Sequence, residues 1–398
     1  MTMDARTASN NEDVSLAPAI HVDWALIDDD AALAACCRRW AACEALALDT
    51  EFMRVSTFYP KIALIQVADG SSISLIDPLR IQDWSGFAAL MTNPAITKIM
   101  HSCSEDMLVF HTFLNVLPAP VFDTQVANAL LNQGVGLSYQ NLVKLHFGID
   151  LPKGETRSDW LQRPLTSQQL EYAALDVAYL PQCWRVQRAA LQQQGREDWL
   201  REDCARQVQQ YANEQASDFS DHYLNFRAGW QLRPQQLAAL QKLAAWREQR
   251  ARKRDKPRSW ILKDPALFAF AQNLYTSKAQ LAAVPEVSDN FVRFEGDDVL
   301  ALLREARELP DAECPPPMPK PLTQGQKGRL RKAQDFVEAK SAELNVPPEV
   351  LGRKRTLQAL QEALLEAEKQ GTPPRIPDEL LGWRRDFLLQ ELTDIFKP

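Results

Sequence analysis

The chain has 398 residues, of which 45% are hydrophobic and 24% charged, and its formal net charge is −7. The length predicts two or three domains, and the apolar content, with ten Trp and sixteen Phe, excludes a wholly disordered protein. No apolar run of about 18 residues occurs, so we expect no membrane span. The polar N-terminus does not resemble a secretory signal, and seven dispersed Cys without a CxxC pair indicate reduced thiols in a cytoplasmic protein.

The charge is unevenly distributed along the chain. Residues 1–215 carry a net charge of −10, whereas the remaining residues carry +3. This asymmetry indicates carboxylates collected for metal binding in one part and contact with a polyanion in another. The five His show no zinc-binding spacing.

The N-terminal half combines strand and helix signals. Residues 1–20 are predicted to form a disordered tail, and Gly70-Ser71-Ser72 is a turn signal between two strands of a predicted meander. A mixed sheet with flanking helices is therefore expected over residues 21–211. Short, partly β-branched segments predict strands at 45–49, 62–67, 73–76 and 96–100. Helices are predicted at 105–114, 125–131, 139–146 and, with Ser167 as N-cap, 167–193.

The C-terminal half lacks strand signals. Residues 222–308 are expected to be helical, with breaks before Pro234, Pro257 and Pro285. Residues 309–321 contain six prolines and predict a semi-rigid linker. Residues 322–395 are again helical, with breaks at 347–348 and 371–377, and belong to a unit that spans 322–398. The prediction is an α/β domain followed by two all-α domains.

Four acidic residues and one tyrosine are candidates for chemistry. Asp49 and Glu51 are two residues apart at the end of a predicted strand, so both side chains lie on one face of the sheet. Tyr172 and Asp176 share a helix face, and Asp106 lies in the first turn of a helix. Taken singly, these residues are typical of strand ends, helix caps and surface helix pairs. Together they offer the oxygen ligands that hard divalent cations prefer.

Three segments resemble the exonuclease motifs of the DEDD family. They are LALDTEF (46–52), HSCSEDMLVF (101–110) and EYAALDVAYL (171–180), and the spacing of Tyr172 and Asp176 matches the tyrosine subclass. Residues 150–166 resemble the segment that precedes the third motif in the ribonuclease D family. The helical units resemble HRDC domains, the first closely at 232–264 and the second at 351–360 and 382–385. The resemblance covers about residues 22–395.

The resemblance implies an RNase H-like exonuclease fold that uses two divalent metal ions, Mg²⁺ or Mn²⁺. It also implies 3′–5′ hydrolysis of RNA that trims tRNA precursors and releases 5′-mononucleotides. No obligate protein partner is evident from the sequence. By motif position, Tyr172 orients the attacking water, which agrees with a free tyrosine being a poor base at neutral pH. The implied metal ligands are Asp49, Glu51, Asp106 and Asp176.

Further residues are candidates for substrate contact. Phe52 and Met53 follow the first motif and either pack on the terminal base or belong to the core. Lys153 and Trp160 are also candidates, whereas His101 is expected to be structural.

A basic stretch at residues 241–263 contains nine Lys and Arg against two acids. It predicts phosphate contact, although a solvated helix face is the alternative. Its flanking Trp246 and Trp260 are expected in the core. The candidate contacts are Arg252, Lys253, Arg254, Lys256 and Arg258.

Two other functions are compatible with the same motifs. One is a DNA 3′–5′ exonuclease, because the motifs do not encode sugar selectivity. The other is a catalytically idle RNA-binding protein, but the occupation of all five motif positions argues against it.

Overall fold

The computed structural model describes residues 22–152, 154 and 158–397. The predicted tail at 1–20 and the candidate residue Lys153 lie outside the described residues. None of the helices in these ranges combines the length and hydropathy that a bilayer span requires.

A mixed six-stranded sheet forms the centre of the N-terminal unit, in the order β1-β4-β3-β2-β5-β6. β2, β3 and β4 pair antiparallel, which confirms the predicted meander, and the other pairs are parallel. The sequence analysis did not predict β1 and β6, which lie at the two edges of the sheet. The strands are β1 (Trp24–Ile27), β2 (Ala45–Met53), β3 (Lys61–Ala68), β4 (Ile73–Ile76), β5 (Thr97–Met100) and β6 (Val121–Asp123).

Eight helices accompany the sheet within the described part of the N-terminal unit. They are α1 (Asp30–Trp40), α2 (Ser85–Thr92), α3 (Ser104–Leu114), α4 (Thr124–Leu130), α5 (Tyr139–Phe147), α6 (Ser167–Ala178), α7 (Leu180–Gln193) and α8 (Glu197–Ala216).

The prediction of one helix over 167–193 is wrong. α6 ends at Ala178 and α7 begins at Leu180, because Pro181 cannot continue the hydrogen-bond ladder of a preceding helix. The predicted N-cap is also wrong by one residue. Thr166 caps α6, since its hydroxyl accepts a hydrogen bond from the Gln169 amide while the Gln169 side chain accepts one from the Thr166 amide.

The C-terminal half is helical in two units, and the described residues after β6 contain no strand. The predicted breaks are confirmed at Pro234 and Pro348, each of which begins a helix. The first unit contains α9 (Pro234–Arg254), α10 (Arg258–Ile261), α11 (Asp264–Asn273), α12 (Lys278–Ala282) and α13 (Asp289–Glu308). The second contains α14 (Gln324–Leu344), α15 (Pro348–Leu351), α16 (Lys354–Gln370) and α17 (Arg385–Phe396).

The two helical units relate differently to the sheet. The apolar core around Leu48 and Phe110 continues without interruption to Val337 and Phe396 of the second unit. The first unit instead has a core of its own, centred on Phe270. The second helical unit and the α/β unit therefore share one continuous apolar core.

A buried ion pair joins the second unit to α8. The Asp203 carboxylate accepts hydrogen bonds from two Arg384 nitrogens, at 2.6 and 2.7 Å, and from the Trp383 indole at 3.1 Å. The Trp383 ring stacks on Trp199 with ring centroids 4.0 Å apart. Both charges are compensated, so the interface carries no unpaired buried charge at this point.

We predict that Asp203→Asn lowers the free energy of unfolding by about 3–5 kcal/mol, because it leaves the buried Arg384 guanidinium without its counter-charge. The matched control is Asp198→Asn on the same helix. Its exposed pair with Arg201 should contribute less than about 1 kcal/mol. Denaturant unfolding measures both, and equal effects of the two variants would contradict the role of the buried pair.

Candidate active site

Three carboxylates converge at the middle of the sheet. Asp49 and Glu51 lie on β2, opposite Gln66 and Leu64 of β3, and Asp176 approaches them from α6. One ligand atom from each of the three lies within 4.8 Å of the others. The strand continues to Met53 instead of ending at Asp49, so the pair is held within regular strand, just before a bulge between Glu51 and Phe52.

Asp106 lies beside this cluster in the first turn of α3 and is buried. Its carboxylate accepts a hydrogen bond from the hydroxyl of Thr50, the residue between the two acids of β2. In this arrangement Asp106 is outside the three-oxygen group, but its charge still raises the pKa of Asp49.

Burial and mutual repulsion dominate the electrostatics of the site. Burial raises the pKa of Glu51 to about 9, with a further contribution from the charge of Asp176. Burial likewise raises the pKa values of Asp106 and Asp176 to about 7 each, and it raises that of Asp49. An all-carboxylate set of hard oxygen donors fits a divalent cation such as Mg²⁺ or Mn²⁺, whose positive charge would relieve this repulsion.

Tyr172 lies one helical turn before Asp176 and faces the same site. Burial and the nearby Asp176 carboxylate raise the Tyr172 pKa above its ordinary value, so the phenol is neutral at physiological pH. The Trp160 ring packs beside the Tyr172 ring, with centroids 6.1 Å apart, and is only 2% exposed. The expectation that Trp160 contacts substrate is corrected here, because its ring is covered by protein and supports Tyr172.

A glycine allows the close approach of the chain to Tyr172. An ideal Cβ at Gly154 would lie 1.6 Å from a carbon of the Tyr172 ring, a distance that no side chain could occupy. Residue 154 therefore has to be glycine for the ring to take its place. The sequence analysis missed this requirement, because the contact joins residues 18 positions apart.

Two further contacts hold the elements that carry the acids. The Tyr139 hydroxyl donates to the Leu175 carbonyl at 3.0 Å and accepts from the Tyr179 amide at 3.1 Å, which supports the break between α6 and α7. The Asp123 carboxylate accepts from the amides of Ser102 and Cys103, both at 3.0 Å, and shapes the turn before α3. The N-cap pattern Asp-Thr-Gln at 123–125 was a recognisable signal for Asp123.

Three other residues considered in the sequence analysis, Phe52, Met53 and His101, lie near the site. Phe52 and Met53 are half-buried and pack against two different apolar clusters. Both ring nitrogens of His101 are hydrogen-bonded, to Thr124 and to the Leu137 carbonyl, each at 2.9 Å. His101 is thus structural, as expected.

The basic stretch is largely neutralised by acids of its own unit. Arg252 and Arg258 both pair with Glu248, which is 1% exposed, and Arg254 pairs with Glu295. These three side chains compensate buried carboxylates, and their contact with phosphate stays a prediction.

Two lysines of the stretch differ from these arginines. Lys253 and Lys256 have no acidic partner among the described residues. Trp246 was expected in the core and is half-buried against it, but Trp260 is 62% exposed, and its assignment to the core is wrong.

The first helical unit contacts the segment that follows β2. The Asp255 carboxylate accepts hydrogen bonds from the amides of Phe58 and Tyr59, both at 2.9 Å. The Phe58 ring is buried, with the guanidinium groups of Arg252 and Arg258 each 4.9 Å from its centroid. The unit is thereby held a few residues from the acids of β2.

Carboxylates on the central strand of a mixed sheet, completed by acids from two flanking helices, define the class of 3′–5′ exonucleases with an acidic metal site. The 3′-5′ exonuclease family model matches residues 24–185, and the HRDC domain model matches residues 236–303.

Relatives along the whole chain identify the family. The chain is 44% identical to ribonuclease D of Pseudomonas paraeruginosa over 94% of this chain and 97% of that protein. It is 33% identical to ribonuclease D of Escherichia coli over 94% and 99%. The crystal structure of E. coli RNase D superimposes with a TM-score of 0.85 at 32% identity, covering 94% of this chain and 98% of that one. The chain belongs to the ribonuclease D family and is an exoribonuclease.

We predict that Tyr172→Phe lowers kcat by about 10²-fold or more and leaves KM and metal affinity nearly unchanged, because a group that positions a reacting proton acts in the transition state. Gly154→Ala should act in the same direction, because its methyl group displaces the Tyr172 ring. Steady-state kinetics on a short RNA measure both. Gly325→Ala is the control, since a Cβ there meets no atom within 4 Å. Wild-type kcat in the Phe variant would make Tyr172 merely structural.

The raised carboxyl pKa values predict how stability depends on pH. Carboxyl groups of the unfolded chain titrate near pH 4. The folded, metal-free protein holds protons up to about pH 7 at Asp106 and Asp176 and about pH 9 at Glu51, so its stability falls as pH rises through this window. Added Mg²⁺ should therefore raise the melting temperature more at pH 8 than at pH 6.

Asp49→Asn provides the matching variant for this prediction. Removing one repelling carboxylate should raise the melting temperature of the metal-free protein at pH 8, whereas Asp198→Asn at the surface should not. Thermal unfolding in chelator and in Mg²⁺ measures both effects. If these carboxylates made the metal-free protein more stable at pH 8 than at pH 6, the result would contradict this electrostatic explanation.

Proposed function

We propose that this exoribonuclease trims extra 3′ residues from tRNA precursors and related RNAs, releases 5′-mononucleotides and uses two divalent ions, Mg²⁺ or Mn²⁺. The observation that supports it is the convergence of Asp49, Glu51 and Asp176, with Asp106 buried beside them. Such a pair of ions, when bound, activates water and neutralises charge on the phosphate and the leaving oxygen. The four carboxylates would hold the ions.

Other side chains of the site would position the attacking water and the terminal base. The Tyr172 phenol stays protonated, so its hydroxyl holds the attacking water by a hydrogen bond and does not remove its proton. The Trp160 ring packs beside the Tyr172 ring, and the lack of a side chain at Gly154 leaves room for it. Phe52 and Met53, which follow the acids of β2, would contact the terminal base.

We also propose the division of the chain into functional parts. The exonuclease domain comprises residues 21–211, and the first HRDC domain comprises residues 222–308. Residues 309–321 form the Pro-rich linker, and residues 322–398 form an HRDC-like domain that completes the core of the nuclease body. The reduced, dispersed thiols agree with a cytoplasmic enzyme.

The test compares matched RNA and DNA oligonucleotides and a tRNA transcript with and without a 3′ extension. We expect stepwise loss of 3′ nucleotides from RNA, arrest by chelator, restoration by Mg²⁺ or Mn²⁺, and loss of turnover in Asp49→Asn, Glu51→Gln, Asp106→Asn and Asp176→Asn. Asp198→Asn is the control for a surface acid. Equal degradation of DNA would favour the DNA exonuclease, and full activity in chelator would exclude the metal mechanism.

A further inference from the structure

Two aromatic side chains of the first helical unit are exposed to solvent. Trp260 on α10 is 62% exposed and Phe294 on α13 is 65% exposed, and no other aromatic of the described residues is among the exposed large hydrophobic side chains. Both line one cavity of about 250 Å³. Exposed aromatic rings that share a cavity are typical of a binding surface.

A cation without an acidic partner among the described residues lies beside each of these rings. The Lys256 Nζ atom is 5.8 Å from the Trp260 ring centroid, and the Arg293 guanidinium is 5.3 Å from that of Phe294. Neither cation has an acidic partner among the described residues. Aromatic faces that accept bases, next to cations that accept phosphates, are the combination that binds single-stranded nucleic acid.

This surface continues towards the candidate active site. A larger cavity of about 780 Å³ lies between the first helical unit and the segment after β2, and Arg54 lines it. Ser259 and Lys263 line both cavities, which are therefore adjacent. Arg54 is three residues beyond Glu51, about 10 Å along an extended chain. A strand whose 3′ end reaches the carboxylates can thus extend through the larger cavity towards Trp260.

We infer that Trp260 and Phe294 form a base-stacking platform for unpaired RNA nucleotides upstream of the 3′ end, reached through the cavity at Arg54. This inference rests on the proposed function, because it assumes that the 3′ end occupies the carboxylate site. The cations favour RNA over a protein partner, since a polyanion compensates both of them. The platform consists of the exposed rings of α10 and α13, and Arg254 lines the same cavity.

The test measures binding of fluorescent single-stranded RNAs of about 4 and about 16 nucleotides to the full-length chain in chelator, where no cleavage occurs. Trp260→Ala and Phe294→Ala should each weaken binding of the longer RNA by about 5- to 100-fold, the effect of losing a stacked base. The short RNA should bind as it does to the wild type. Trp260→Tyr should retain most of the affinity. Leu224→Ala, at an exposed apolar residue elsewhere in the chain, is the control.

Abasic nucleotides show whether the rings stack on bases. If Trp260 stacks on a base, removing that base should weaken wild-type binding and have no further effect in Trp260→Ala. The coupling should occur at upstream positions and be absent at the 3′ terminus. Strictly additive losses at every position, or unchanged affinity of both Ala variants for the longer RNA, would overturn the platform.

Two controls separate this inference from its alternatives. Lost self-association in Trp260→Ala with unchanged RNA affinity would overturn the inference in favour of a protein contact. With Mg²⁺ present, Trp260→Ala should degrade the 4-nucleotide RNA at the wild-type rate, because such an RNA is too short to reach the platform. If the wild type does not degrade RNA, the result contradicts the proposed function. If the wild type degrades RNA and both Ala variants bind the longer RNA with wild-type affinity, the result contradicts only the platform.

Discussion

The mutual repulsion of buried carboxylates is the constraint on which the site depends. Asp49, Glu51, Asp106 and Asp176 lie in a poorly solvated region, where burial and like charge disfavour their ionised forms. Such a cluster persists only when the surrounding fold holds it, and only a cation compensates it fully. The pairing of β2 with β3 supplies this rigidity, because both strand acids lie within its register.

The parts of the chain far from the acids in sequence serve the same constraint. Asp255 of the first helical unit holds the segment after β2, and Asp203 of α8 holds the second unit through Arg384. The second unit shares the core of the sheet, so it stabilises the nuclease body by burial of apolar surface. The first unit keeps its own core and presents its exposed aromatic side chains next to the cavity at Arg54. The two helical units therefore differ in packing, because only the second shares the apolar core of the sheet.

The arginines within residues 241–263 illustrate why a charge count does not identify a binding surface. Nine cations against two acids within residues 241–263 predicted phosphate contact. Glu248 lies within the stretch and forms ion pairs with two of its arginines. Glu295, 41 residues beyond Arg254, forms an ion pair with that arginine. An ion pair that compensates a buried acid cannot be given up to a ligand without leaving that acid unpaired. The exposed Trp260 shows the opposite error, because an aromatic residue in a helical segment was assigned to the core by its type alone.

The four acids and Tyr172 were recognised by their resemblance to family motifs. Local patterns in the sequence were sufficient for the strands of the meander and for the helix breaks at Pro234 and Pro348. Each of these signals depends on periodicities of two or 3.6 residues or on backbone preferences that act between near neighbours. The sequence alone could not reveal the closeness of Gly154 to Tyr172, the burial of Trp160, the pairing of Arg254 with Glu295 or the exposure of Trp260. These depended on the tertiary structure, because each is a contact, or the lack of one, between segments that only the folded chain brings together.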